Sequence, residues 1–276
     1  MEDPRYASFM GHGPDRIAHW EHWSNPDAET ALTGIDYYAH PRQCRLKMQE
    51  RFPQLNLPIP ETDAPRPRIE EQADQGKGRW GDAYRDHWQQ QEASQRFDSE
   101  EEMLNFSPLA QGDFTGWNVV VDGDFSSEEV IYQRYRKAYP AEWGEKAPAG
   151  SAAAVGFYNT LFMWPMLVFG YESFLNICLD PRFERIMDEF AEINRRVFRA
   201  FARLPVDYVT CHDDIVTTRG PVCSPQWMHK YIFPRYEEYW GILKDAGKEV
   251  IFMVDGCVDA FVDDVMACGA RGIISE

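Results

Sequence analysis

The chain has 276 residues, 44% of them hydrophobic and 14% aromatic, so it can bury a sizeable core, and its length is close to the ~250 residues typical of a (β/α)8 barrel. A formal net charge of −17 sets it against polyanions, because a nucleic-acid binder needs clustered Lys and Arg to displace counterions; DNA and RNA are therefore not expected as partners. The N-terminus has no signal core, no apolar run approaches the ~20 residues that cross a bilayer, and the six scattered cysteines form no C-x-x-C pair, so a soluble, cytoplasmic enzyme domain is expected.

In chain order, the first strand candidate is 16–20, which runs into HWEHW. Alternation along a strand would put His19 and Glu21 on one face and Trp20 and His22 on the other, so only part of the cluster can line a cavity. Residues 52–114 are rich in Pro, Gln, Asp and Glu with little periodicity, yet carry Trp80, Tyr84, Trp88 and Phe97; a folded surface insertion capping one barrel face is expected. A middle strand at 153–158 runs into FYNTLF, whose Tyr158 and Asn159 are polar groups in an apolar wall.

The second half is more regular. Asp180 and Pro181 precede Phe183, Ile186, Met187, Phe190, Ile193, Val197 and Phe201 at helical spacing, which predicts a long amphipathic helix. A strand follows at 206–211. A helix then opens at Ser224 and Pro225, runs through Met228, Ile232, Tyr236 and Leu243, and stops at Gly247. Next come a strand at 249–254, a helix over 259–268 closed by Gly269, and a strand at 272–275. Consecutive βαβ units demand a parallel sheet, either a closed barrel or an open doubly wound sheet. Because the chain stops at Glu276 directly after a strand, a single α/β barrel domain over 1–276 lacking its C-terminal strands is expected.

Functional groups of parallel α/β sheets collect where strands end, and CHDDIVTTRGPVCSP leaves the 206–211 strand at that end. His212, Asp213 and Asp214 are the first catalytic candidates, since two adjacent carboxylates cannot both enter an apolar core without a large desolvation cost. The plainer alternative is that Asp213 is solvated and Asp214 anchors the loop on backbone N–H groups. FMVDGC places Asp255 at the next strand tip, beside a Gly256 suited to a tight turn, with helix capping as the competing role. Cys257 and the terminal Glu276 complete a candidate metal set with Asp255; Tyr158, Asn159, Glu21 and His19 are candidate substrate contacts, against packing or capping as their plainer roles.

PDRIAHWEHW near the start, HDDIVTTRGPVCSPQWMHKYIFPRYEEYWGILKDAGKEVIF and MVDGCVDAFVDDVMACGARGIISE together resemble the uroporphyrinogen decarboxylase superfamily, which includes the cobalamin-dependent methyltransferases. The resemblance is strongest from Phe157 onward. It implies a TIM barrel with its cavity at the C-terminal strand ends and, in the bacterial demethylase-like members, methyl transfer from a small methoxylated or methylated compound to a corrinoid acceptor on a partner protein. It also implies zinc as a cofactor and a homodimer. Two departures stand out. The arginine-bearing R-Q-A-G-R-Y segment of true uroporphyrinogen decarboxylases is replaced by HWEHWSNPDAET, and the H-x-C-G zinc motif reads Met253, Val254, Asp255, Gly256. The competing expectations are a cofactor-free carboxy-lyase of the uroporphyrinogen decarboxylase type and a non-catalytic small-molecule-binding barrel.

Overall fold

A computed structural model of the chain describes residues 21–22, 25–52, 55–56, 59–60, 62–68, 96–117, 122–138 and 154–275. The chain divides into two compact units, Met1–Asp86 with Glu145–Ala152, and His87–Gly144 with Ala153–Glu276. The strand expected at 16–20, the aromatics Trp80, Tyr84 and Trp88, and Glu276 lie outside the described residues.

In the first unit, β1 (Glu21–His22) pairs in parallel with β2 (Leu55–Asn56). Helix α1 (Pro26–Thr33) has Pro26 in its first turn, the Asn25 side chain accepting from Ala28 N at 3.0 Å, and a left-handed Gly34 at its end. Helix α2 (Pro41–Arg51) is capped from a distance, as Asp63 Oδ1 accepts from Arg42 N at 2.9 Å and Gln43 N at 3.1 Å. A buried pair joins the two helices: Arg45 Nε lies 3.2 Å from Glu29 Oε2, and the guanidinium sits over the Tyr37 ring.

The second unit is mixed α/β. Its sheet has the order β3 (Ala154–Phe157), β4 (Tyr208–His212), β7 (Glu249–Val254), β8 (Gly272–Ser275), with every neighbour parallel. A small antiparallel hairpin, β5 (Val216–Thr217) and β6 (Gly220–Pro221), follows β4. The helices are α3 (Glu100–Asn105), α4 (Pro108–Gln111), α5 (Glu128–Ala138), α6 (Met163–Phe169), α7 (Tyr171–Ile177), α8 (Phe183–Ala202), α9 (Pro225–Tyr231), α10 (Phe233–Asp245) and, after a 3-10 turn at Asp259–Phe261, α11 (Val262–Cys268).

The two faces of the sheet differ. Val155, Phe157, Val209, Cys211, Val250, Phe252 and Val254 are buried under helices. Phe157 meets Phe198 and Phe201 of α8, and Phe252 meets Tyr236 and Trp240 of α10. On the other face Gly156 is exposed and Tyr158, Thr210 and Met253 are half-buried, while Tyr208, His212 and Ile251 are buried. Helix α8 forms because its apolar residues recur at three- and four-residue spacing, burying Phe183, Ile186, Met187, Phe190, Val197 and Phe201 as one stripe. It opens at Phe183, two residues beyond Pro181, because Asp180 Oδ1 accepts from Arg182 N at 2.8 Å and closes a turn first.

Strands expected at 249–254 and 272–275 are observed there. The strand expected at 206–211 is observed at Tyr208–His212, and Val206 ahead of it gives its carbonyl to Lys248 Nζ. The helix from Ser224 is broken in two at Ile232, where Pro234 lacks the N–H that would continue the ladder. Residues 52–114, expected as one surface insertion, are divided between the units. Residues 62–68 lie in the first, whereas 96–114 belong to the second and bury Phe97 against Phe169 and Phe114 against Trp164 in its core. Among the described residues no helix is long and apolar enough to cross a membrane.

Candidate functional site

Strand register sorts the candidate residues before any side chain is considered. Phe157 is level with Cys211, and Cys211 with Phe252; one step on, His212 is level with Met253. The ladder continues beyond the strands, since Thr160 N donates to His212 O and Asp213 N to Met253 O, each at 3.1 Å. With a period of two, Tyr158, His212, Asp214, Met253 and Asp255 share the open face, and Asp213 falls on the helix-covered one.

Asp213 is fully buried, and its carboxylate accepts four hydrogen bonds: Leu161 N at 2.7 Å and Phe162 N at 2.6 Å on Oδ2, Met163 N at 2.7 Å on Oδ1, and the Tyr236 hydroxyl at 2.6 Å on Oδ2. The three amides belong to the turn that opens α6. From the other side of that turn, Asn194 of α8 donates through Nδ2 to the carbonyls of Asn159 and Thr160, while its Oδ1 accepts from Trp164 Nε1 at 2.8 Å. Burial pushes the Asp213 carboxyl up to about 7, against the pull of its four donors. The anchoring role expected for Asp214 is thus corrected: Asp213 is buried rather than solvated and is the one that anchors backbone N–H groups, whereas Asp214 meets His212. The order is fixed by the register, which turns Asp213 towards α10.

On the open face, His212 Nε2 lies 3.0 Å from Asp214 Oδ1, with the two side chains 6% and 13% exposed. The Tyr158 ring stands edge-on to the imidazole, centroids 4.0 Å apart. His212 Nδ1 is buried and has no hydrogen-bond partner among the described residues. Leaving a buried polar atom unpaired costs about 1–3 kcal/mol, so it calls for a reason. Asp255, at the tip of β7, brings a carboxylate oxygen to the same place: one ligand atom each from His212, Asp214 and Asp255 lie within 4.8 Å of one another.

The turn carrying Asp255 is held by its neighbours. Gly256 has φ +120°, and a Cβ there would come within 2.7 Å of the Thr217 carbonyl. Cys257 N donates to Thr217 O at 2.9 Å, and Ser275 Oγ donates to Gly256 O at 2.8 Å. Hairpin β5–β6 and strand β8 therefore clamp the Asp255 turn from two sides.

The metal set expected from the sequence is corrected in part. Asp255 belongs to the cluster, but Cys257 is exposed and outside it, and His212 and Asp214 take the remaining places. Glu276 and His19 lie outside the described residues, as does the side chain of Glu21. Asn159 contributes its carbonyl to Asn194. Asn194 and Tyr236 were missed as positioning residues because each sits in an otherwise apolar helical stripe; the only signal was a polar atom at a core position. One imidazole and two carboxylates are a donor set suited to zinc or a similar divalent cation, and three protein ligands is the usual number where a metal keeps a coordination place for substrate. The same groups can hold and pass a proton. In comparisons with known proteins, the chain matches no protein-family model and no curated protein.

Proposed function

We propose that this chain is an enzyme of the uroporphyrinogen decarboxylase type, built on a TIM barrel, that moves a methyl group from a small methoxylated or methylated compound to a corrinoid acceptor carried by a partner protein. The observation that carries the reading is the convergence of His212, Asp214 and Asp255 within 4.8 Å at the C-terminal ends of neighbouring parallel strands. The barrel is supported by the asymmetry of the sheet: a doubly wound sheet buries both faces under helices, whereas a barrel leaves one face to its interior.

In demethylation the C–O or C–N bond of the substrate breaks, the heteroatom keeps the electron pair, and that charge must be met by a proton or a cation. A divalent cation held by His212, Asp214 and Asp255 would supply Lewis acidity to the departing heteroatom, and the corrinoid would supply the nucleophile for the methyl group. The chain's own groups set the geometry. The Tyr158 edge limits rotation of the His212 ring, Asp214 Oδ1 stands 3.0 Å from its Nε2, and the Gly256 turn aims Asp255 at the same point.

Metal content of chelator-free protein, measured by mass spectrometry beside Asp255→Ala and His212→Ala, tests the site. About one zinc or similar ion per chain, lost in both variants, is expected, followed by substrate-dependent methylation of a reduced corrinoid. Metal that persists in both variants, or demethylation that survives them, would sink the assignment.

A further inference from the structure

Two glycines border the layer of the sheet that lies beneath the His212–Asp214–Asp255 cluster. Gly156 is level with Thr210, Thr210 with Ile251, and Ile251 with Gly272, so this step across the four strands begins and ends on a residue without a side chain. With a period of two it faces the same way as Tyr158, His212 and Met253, and it lies about 7 Å further from the strand ends. Gly156 is exposed although it stands inside β3, and Gly272 is half-buried at the start of β8.

Glycine inside a strand weakens it, so it calls for a bulge, a backbone conformation closed to other residues, or the close approach of something to the bare main chain. The first two do not apply. Pairing of 154–157 with 208–211 runs without a break, and neither Gly156 nor Gly272 has a positive φ. A Cβ at 156 would meet Thr210 Oγ1 at 3.1 Å, and a Cβ at 272 would meet Ile251 Cδ1 at 3.4 Å. Apart from each glycine's own chain neighbours, nothing else among the described residues lies within 4 Å of either point. What remains is space over the main chain, on the face that carries the cluster.

We infer that the body of the substrate lies on the main chain at Gly156, and that Gly156 is a specificity-determining residue which admits an uncharged body the size of a six-membered ring. The inference rests on the function proposed for the cluster above. Size follows from the register: the step of about 7 Å between Gly156 and the level of His212 is the span of such a ring, with its methylated heteroatom held at the strand ends. Charge follows from the lining. The level of Gly156 offers only the Thr210 hydroxyl, whose bond to the Val155 carbonyl is long at 3.5 Å, and the Ile251 side chain. The level above it offers Tyr158, His212, Met253 and Ile274, so neither level holds a Lys, Arg, Asp or Glu. A charged body would give up water there without gaining a partner, whereas a neutral ring gains contact with the Tyr158 ring and the Met253 thioether.

The experiment follows binding of methoxybenzene to the full chain by saturation-transfer NMR, with 4-methoxybenzoate as the charged comparison, and measures zinc content on the same samples. Expected is binding of methoxybenzene by the parent, with 4-methoxybenzoate bound more weakly. Gly156→Val should weaken methoxybenzene at least ~10-fold, and Gly156→Ala, whose added methyl reaches only Thr210 Oγ1, should weaken it less. Zinc content and melting temperature should stay at the parent's values in both variants, because Val and Ala carry no ligand and Val favours a strand. A parent that does not bind methoxybenzene, or a folded Gly156→Val chain that binds it as tightly as the parent, would overturn the inference. If the parent holds no zinc yet loses methoxybenzene on Gly156→Val, the metal reading fails and the seat at Gly156 stands.

Discussion

The two ends of the four-stranded sheet treat buried polar groups in opposite ways. At the N-terminal end, Lys248 is buried and its Nζ donates to the carbonyls of Leu204 and Val206 at 2.6 and 2.9 Å, in the segment that joins α8 to β4. At the C-terminal end, Asp213 is satisfied by four donors, but one residue away His212 keeps a buried ring nitrogen unused. Groups that are fully used hold the fold, and the unused imidazole nitrogen of His212 is the one that the proposed site would put to use.

Substitutions at four positions can break or sharpen that contrast, and the largest effect is expected at Asp213. Asp213→Ala leaves three amides and a hydroxyl without an acceptor and should cost more than about 3 kcal/mol in denaturant unfolding. The same carboxyl predicts a pH dependence. Its folded value is raised from 3.8 to about 7, so between those values the folded chain binds a proton that the unfolded chain has released. This contribution to stability is complete below about pH 4 and lost as pH rises through about 7, with a slope of up to about 1.4 kcal/mol per pH unit. Asp213→Asn should remove that slope; an unchanged profile would place the titration elsewhere.

Gly256→Ala comes next. Its Cβ would press on the Thr217 carbonyl at a φ that L residues rarely adopt, for a cost on the order of 2 kcal/mol. Metal binding should fall along with stability, because the turn carries Asp255; a variant that melts early yet binds fully would detach the turn from the site. Lys248→Met, which strips two carbonyls of their donor, should cost about 1–2 kcal/mol and leave metal binding unchanged. The smallest change in stability is expected for His212→Leu, within about 1 kcal/mol of the parent, since the ring that is lost has an unsatisfied atom. If His212→Leu unfolds the chain instead, the imidazole is a structural element like Lys248.

The parallel sheet was legible because 249–254 and 272–275 are apolar runs, and because Gly247 and Gly269, with φ of 74° and 112°, stop the preceding helices. The site was legible as a place but not as an orientation. Sequence marks His212, Asp213 and Asp214 alike, and only the pairing of Asp213 N with Met253 O decides which of them turns towards the helices. The donors to Asp213 at 161–163 lie some fifty positions upstream, beyond any local periodicity. Residues 96–114 were misjudged for the opposite reason. Their structure depends on short caps, such as Ser99 Oγ accepting from Glu102 N, and on single aromatics rather than on a repeating pattern.

The close approach of Gly256 to Thr217 also bears on how this surface can change over generations. A side chain at 256 would meet the Thr217 carbonyl, so a substitution there is expected to need a matching shift of the hairpin some forty residues upstream. Homologous chains should therefore vary there in concert.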